Sequence, residues 1–308
     1  MRRVPSSLSL GILLICALAG CSADLSGGTT GSGESDASTA DRLASDSTSA
    51  SHATPVPSVN LGEAPDPVGL VNLWRVSGVE GEGANTWLRI DATDFQLWRD
   101  CGITSGAWQS NGHLFDASTS AADAACAPSM TVPWLESVTS FRDIDGRWEL
   151  TDSTHEVVAT LTIDGAPEPS ATAADFFTQP PVVTDATRAA LRQSVPLADG
   201  LVPATADDLV GRWVPVGYDG EARPEKPYAL LEHDGTWEGS DGCNGSGGSW
   251  AGASDGTFLA TTGPSTLIAC DGYSIDYAIS RAMRVSIDGG VLSLFDADGI
   301  ELVQLERA

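Results

Sequence analysis

DCGITSGAW (residues 100–108) and GCNGSGGSW (residues 242–250) decide how this chain is built. Each carries a cysteine, six further residues and a tryptophan, and a second cysteine follows each at a similar distance, in DAAC ending at Cys126 and LIAC ending at Cys270. The likeness runs outward on both sides. Upstream, GLVNLWRVSG (residues 69–78) matches DLVGRWVPVG (residues 208–217) and sets Trp74 opposite Trp213; downstream, WLESVTSFRDIDGRWEL (residues 134–150) lies beside YAISRAMRVSIDGGVLSL (residues 277–294). Similarity that extends beyond its core in both directions marks an internal repeat. Two copies of one domain follow, with Cys101 paired to Cys126 and Cys243 to Cys270, each loop contributing about 3 to 4 kcal/mol if the bond acts by restricting the unfolded chain. The glycines around Cys243 permit positive φ and close backbone approach, so residues 239–250 read as a strand leaving into an irregular turn, with Trp250 re-entering the core.

The N-terminus sets the compartment. Arg2 and Arg3 precede an apolar run, residues 8–19, too short for an ordinary bilayer span, and the run ends CALAGC. Leu18-Ala19-Gly20-Cys21 resembles the bacterial lipobox, which implies a signal peptide over residues 1–20 and a mature chain beginning at a lipidated Cys21. Two or three acyl chains hold a protein on a membrane surface durably. Residues 21–66, rich in Ser, Thr, Gly, Ala and Asp and poor in large apolar side chains, read as a disordered tether. Cys16 leaves with the signal and Cys21 is acylated, so four cysteines remain in a compartment that permits disulfides.

Charge excludes one class of partner. With 42 acidic residues against 16 basic ones and a single lysine, Lys226, the chain offers no cationic face for nucleic acid.

The second copy has a family resemblance. LVGRW, YALLEHDGTWEGSDGCNGSGGSW, STLIAC and GGVLSLFDADGIELVQL, over residues 208–304, resemble the META domain of HslJ-type bacterial lipoproteins, with Gly242-Cys243-Asn244 and Thr266 to Cys270 in the family's order. The resemblance implies a non-catalytic envelope protein that binds another envelope component or supports envelope integrity under stress. The first copy departs from it: Gly102 stands where Asn244 leads one to expect asparagine, and Ala122 where Thr266 leads one to expect threonine.

Patterning within the copies predicts a mainly β, α+β architecture: two small antiparallel domains, each a partly closed sheet or barrel with one short helix and one disulfide. YALLEHDGTWEGS turns at Asp234-Gly235 and VLSLFDADGIELVQL around Asp298-Gly299, both hairpin signals. Residues 274–285 are the helix candidate, with Ser274 as N-cap and Ile275, Ile279, Ala282 and Met283 as its apolar stripe. The domains span residues 67–165 and 206–308. Between them, residues 166–205 form a proline-containing linker with a short helical pattern at 184–194, capped by Thr184 and carrying Leu191 on its apolar side; FFTQPPVV (residues 176–183) is apolar enough to dock. Most of the nine tryptophans should be core.

Catalytic and cofactor motifs do not assemble. There is no C-x-x-C pair for zinc, and His52, His113, His155 and His233 have no ligand spacing. The glycine-rich loop lacks the following helix and lysine of a phosphate cradle. DADGIE (residues 296–301) and DIDG (residues 143–146) are turn sequences rather than calcium loops. His113, His155 and His233 lie in polar strand or turn contexts, so no Ser/His/Asp set is assigned. No catalytic, metal or cofactor residue is therefore assigned. The expectation is a lipid-anchored extracytoplasmic protein whose partners are the membrane and an envelope protein, glycan or lipid. Two further readings stand beside it: a carrier of a small apolar ligand, because LVGRW resembles the Leu-x-Gly-x-Trp opening of lipocalin-like barrels, and a cell-wall hydrolase, which requires clustered carboxylates in a cleft.

Overall fold

A computed structural model describes residues 64–126, 131–168, 175–218, 226–263, 265–266 and 272–308, all within one compact unit, Val59–Ala308. Cys21, Cys270, the expected signal peptide over residues 1–20 and the expected tether as far as residue 63 lie outside the described residues.

The first copy forms β1 (Asn72–Ser77), β2 (Trp87–Ile90), β3 (Asp94–Arg99), β4 (Gly102–Asn111), β5 (Leu114–Ala122), β6 (Ser140–Ile144), β7 (Arg147–Thr151) and β8 (Val157–Thr162). Neighbours pair antiparallel in sequence order, and β1 pairs with β8 to close a barrel. Alternation along the strands explains the closure: Trp74 and Val76, Leu88 and Ile90, Phe95 and Leu97, Phe115 and Ala117, and Leu150 belong to one buried cluster. The opposite faces of β1, β2 and β3 carry Leu73, Trp87 and Trp98, also buried.

The second copy repeats this in β9 (Gly211–Pro215), β10 (Tyr228–Leu231), β11 (Thr236–Ser240), β12 (Gly245–Gly252), β13 (Phe258–Ala260), β14 (Arg284–Asp288), β15 (Val291–Phe295) and β16 (Glu301–Arg307). Its order, β13-β12-β11-β10-β9-β16-β15-β14, is the order of the first barrel opened between the fifth and sixth strands. That seam is thin in both copies. Leu114↔Ser140 is the one paired position between β5 and β6, and the bridge Thr257↔Arg284, with Phe258 N–H donating to Met283 O at 3.0 Å, draws β13 towards β14.

Equivalent residues make equivalent contacts. Trp74 Nε1 donates to Leu70 O at 2.7 Å, and Trp213 Nε1 to Leu209 O at 2.6 Å. Trp108 stacks on Phe115 and Trp250 on Phe258. Gly106 faces Ser118 O and Gly248 faces Thr261 O so closely that neither has room for a Cβ. The β6–β7 turn is Asp145-Gly146 (φ 55° and 82°) and the β14–β15 turn is Gly289-Gly290 (φ 56° and 88°), the paired positive φ that a two-residue hairpin with strand-matched twist demands.

The helices are short. Among the described residues the α-helices are α1 (Pro133–Glu136), α2 (Asp185–Ala190), α3 (Ala206–Leu209) and α4 (Ile275–Arg281). The helix expected over 274–285 therefore ends sooner: Ala282 is extended (φ −66°, ψ 133°), and Arg284 onwards joins β14, because the sheet takes these backbone groups. Ser274 makes no side-chain cap bond. Thr184 does cap α2, in a reciprocal box with Thr187, and Leu191 is buried in the first core.

The linker docks rather than hanging free. Phe177 packs on Leu73, Trp87 and Trp98, while Arg89 lies over Phe176 and Phe177 and donates to Gln179 O at 3.2 Å. Further along, Val195 N–H donates to Ala297 O and Pro203 bridges Ser286, so the same segment crosses to the second copy.

Candidate functional site

Three places gather polar side chains: the cysteine loops, the mouth of the first barrel and the seam between the copies.

In the second copy's cysteine loop, β11 ends and the chain turns through Asp241-Gly242-Cys243-Asn244 before β12. Asp241 Oδ1 accepts from Cys243 N–H at 2.7 Å and Asn244 N–H at 2.5 Å, and Oδ2 accepts from Asn244 Nδ2 at 3.1 Å. Burial would raise the Asp241 pKa, but the bonds from Asn244 and Cys243 outweigh it and hold the carboxyl below its ordinary range. Gly242 supplies φ 94°. Thr266 Oγ1 accepts from Gly245 N–H at 3.0 Å, and Thr266 N–H donates back to Gly245 O. Cys243 is disulfide-bonded. Gly242, Cys243, Asn244 and Thr266 thus share one loop, organised by Asp241. Sequence reading missed Asp241; its signal was an aspartate two residues before the cysteine, the spacing of an Asx turn.

Cys101 and Cys126 form the first copy's disulfide, with Cα atoms 5.1 Å apart. Asp123, not Ala122, fills the place of Thr266: its Oδ2 accepts from Ile103 N–H at 3.0 Å, and its N–H donates to Ile103 O at 2.9 Å. Counting back four residues from the cysteine placed the match one position early. Gly102 has a physical reason too, since a Cβ there would come 2.6 Å from Asp123 Oδ2, and its φ is 134°.

At the mouth of the first barrel, Glu82 bonds Arg99 (2.9 Å), Trp134 Nε1 (3.0 Å) and Thr86 Oγ1 (3.3 Å). A depression of ≈ 340 Å³ opens beside it, bordered by Arg75, Ser77, Val79 and Gly83. Both its charges are already engaged: Arg75 pairs with Asp164 at 3.3 Å, donates to Ala84 O and covers the Trp87 ring.

The seam joins outward faces of the two copies. Leu114 of β5 packs with Ala251 of β12 and Leu259 of β13. Beside them Asp116, 4% exposed, accepts from Ser249 Oγ (2.8 and 2.7 Å) and Thr261 Oγ1 (3.1 Å). Burial pushes the Asp116 carboxyl upward, against the hydrogen bonds from Ser249 and Thr261. Asn111 Nδ2 donates to Met283 O (2.6 Å) and Phe258 O (3.0 Å), and its Oδ1 accepts from Ser194 of the linker.

The histidines do not assemble a triad with these groups. His113 sits in the β4–β5 turn, its pKa lowered by burial and by His155 against the pull of Asp255. Asp255 is occupied by Arg284 at 3.1 Å and by Thr257 N–H. His155 holds φ 65° in the β7–β8 loop. Among the described residues no group of three or more His, Cys, Asp or Glu is arranged for a metal ion. The tryptophans offer no exposed sugar-binding face: all are buried except Trp134, which is half-buried and bonded to Glu82.

The architecture defines a class, a tandem pair of eight-stranded antiparallel barrel-like domains docked through polar side chains. No family model, no curated protein and no solved structure matches the chain.

Proposed function

We propose that this chain is a lipid-anchored extracytoplasmic protein of the bacterial envelope whose two META-like copies act as a non-catalytic binding module for an envelope protein, glycan or lipid. The anchor rests on Leu18-Ala19-Gly20-Cys21 and the tether behind it, and the kinship rests on the motif residues Gly242, Cys243, Asn244 and Thr266.

The observation that carries the binding reading is the filling of both interiors. Trp74 and Trp108 in the first copy, and Trp213, Trp237 and Trp250 in the second, are buried in the cores with their indole N–H groups bonded to backbone carbonyls. A barrel packed in this way leaves its outer faces and mouths for recognition, which weighs against a carrier of an apolar ligand. The hydrolase reading is weakened as well, since the carboxyl displaced upward, Asp116, is closed off in the seam.

The test is crosslinking of the full chain in living cells, followed by untargeted mass spectrometry of what is attached. Enrichment of one envelope protein or glycan supports the proposal. A stoichiometric apolar small molecule retained by the purified chain would put the carrier reading first.

A further inference from the structure

Asp116, Ser249 and Thr261 form a ring of three hydrogen-bonding sides. Ser249 Oγ lies 2.7 Å from Asp116 Oδ2 and 2.8 Å from Oδ1, Thr261 Oγ1 lies 3.1 Å from Oδ2, and Ser249 Oγ lies 2.7 Å from Thr261 Oγ1. The proton inventory is short by one. Each hydroxyl carries one proton, so with an ionised carboxylate two protons serve the three sides of the ring and one side is left with none. Ser249 N–H points to Thr261 Oγ1 at 3.4 Å but does not lie between the two oxygens.

A proton on Asp116 completes the ring. The carboxyl O–H donates to Ser249 Oγ, Ser249 O–H donates to Thr261 Oγ1, and Thr261 O–H donates to the other carboxyl oxygen, or the same circuit runs in reverse. No side is then left with facing lone pairs, and no charge is buried.

The Ala117 backbone N–H also bonds the carboxyl and favours its ionised form, but burial acts the other way and outweighs it. Across the ladder Asp116 pairs with Gln109 of β4, Leu114, Ala251 and Leu259 supply apolar surface, and Glu136 of α1 adds negative potential. The cationic group of the seam, Arg284 of β14, is committed to Asp255, Thr257 and Ser194. His113 is disfavoured as a cation by burial.

We infer that Asp116 is a proton-held latch: docking of the two copies keeps a proton on its carboxyl, and alkalinisation loosens the seam by removing it. The direction follows from linkage. Between the ordinary aspartate value of about 3.9 and the raised folded value, the docked state holds a proton that the separated or unfolded state has released. Stability therefore falls as pH rises through that window, and by up to about tenfold in the docking equilibrium per pH unit.

The deciding experiment is a carboxyl-carbon NMR titration of the full chain, with Asp116 assigned by its disappearance in Asp116→Asn. Hydrogen exchange at the Phe258 and Thr261 amides is followed alongside. The expected result is that Asp116 titrates well above the other aspartates, that exchange at both amides accelerates as it does so beyond the intrinsic effect of pH, and that Asp116→Asn, neutral at every pH, lacks this acceleration. Titration of Asp116 together with the exposed aspartates would overturn the inference, as would identical exchange profiles in the two proteins. If Asp116→Asn fails to fold, the natural chain alone separates the outcomes: an aspartate carboxyl titrating well above the rest, in step with faster exchange at Phe258 and Thr261, supports the latch, and a set of aspartates that all titrate in the ordinary range overturns it.

Discussion

Asn111, at the end of β4 in the first copy, donates its side-chain amide to the carbonyl oxygen of Met283 in the second copy at 2.6 Å. The same amide reaches Phe258 O at 3.0 Å, so one side chain spans the thin place between β13 and β14, and its own oxygen takes the linker's Ser194 hydroxyl at 2.9 Å. Two barrels and the segment between them meet at one residue.

Asn111→Ala removes these bonds while leaving the strand ladders intact. The expected loss is about 1–3 kcal/mol of coupling between the copies, seen in denaturant unfolding as a single transition that broadens or divides in two. Additive, unbroadened unfolding would show that the seam is held elsewhere.

Trp74 and Trp213 are equivalent in position and in bonding partner, so they should respond alike. Trp74→Phe and Trp213→Phe each leave a buried carbonyl, Leu70 O or Leu209 O, without its indole donor. Each variant should lose about 1–3 kcal/mol in chemical denaturation, with a small further loss for the smaller ring.

The Cys101–Cys126 bond closes a segment with a sequence separation of 25. Cys101→Ser together with Cys126→Ser should cost about 3 to 4 kcal/mol on the chain-entropy account. Mild reductant should lower the melting temperature of the natural chain and leave that double variant affected only through Cys243.

Asp241 gives the opposite pH dependence to Asp116. Its pKa is depressed in the folded chain, so its contribution is fully present above the ordinary aspartate value of about 3.9 and disappears as pH falls through the lower folded value. Asp241→Asn should flatten the acid limb of the stability profile below about pH 4, measured by thermal melts at stepped pH, and should loosen the 241–244 turn in hydrogen exchange.

Local chemistry made much of the fold legible. The Asp-Gly turns and the Thr184 cap act within a few residues, and the Cys101–Cys126 bond forms as the spacing of the first copy leads one to expect. Barrel closure depends instead on β1 meeting β8, whose partners Arg75 and Thr162 lie far apart in the chain, and four-residue strands such as β2 and β10 carry too short a pattern to count. The seam was the least legible part. Asp116 and Ser249 are 133 residues apart, and nothing in the sequence around either announces the other. Asp123 shows a subtler limit: side chains of different length fill one place, so matching by residue type pointed to Ala122 while the backbone bonds to Ile103 identify Asp123.

The most direct test of the central claim is the intact mass and N-terminal peptide of the protein isolated from the cell that produces it, with its membrane and soluble fractions compared for the natural chain and Cys21→Ser. The account predicts a chain beginning at Cys21, heavier than its sequence by a diacylglycerol group with or without a further acyl chain, and a Cys21→Ser chain that leaves the membrane fraction. An unmodified chain that begins elsewhere and is recovered free of the membrane would contradict it.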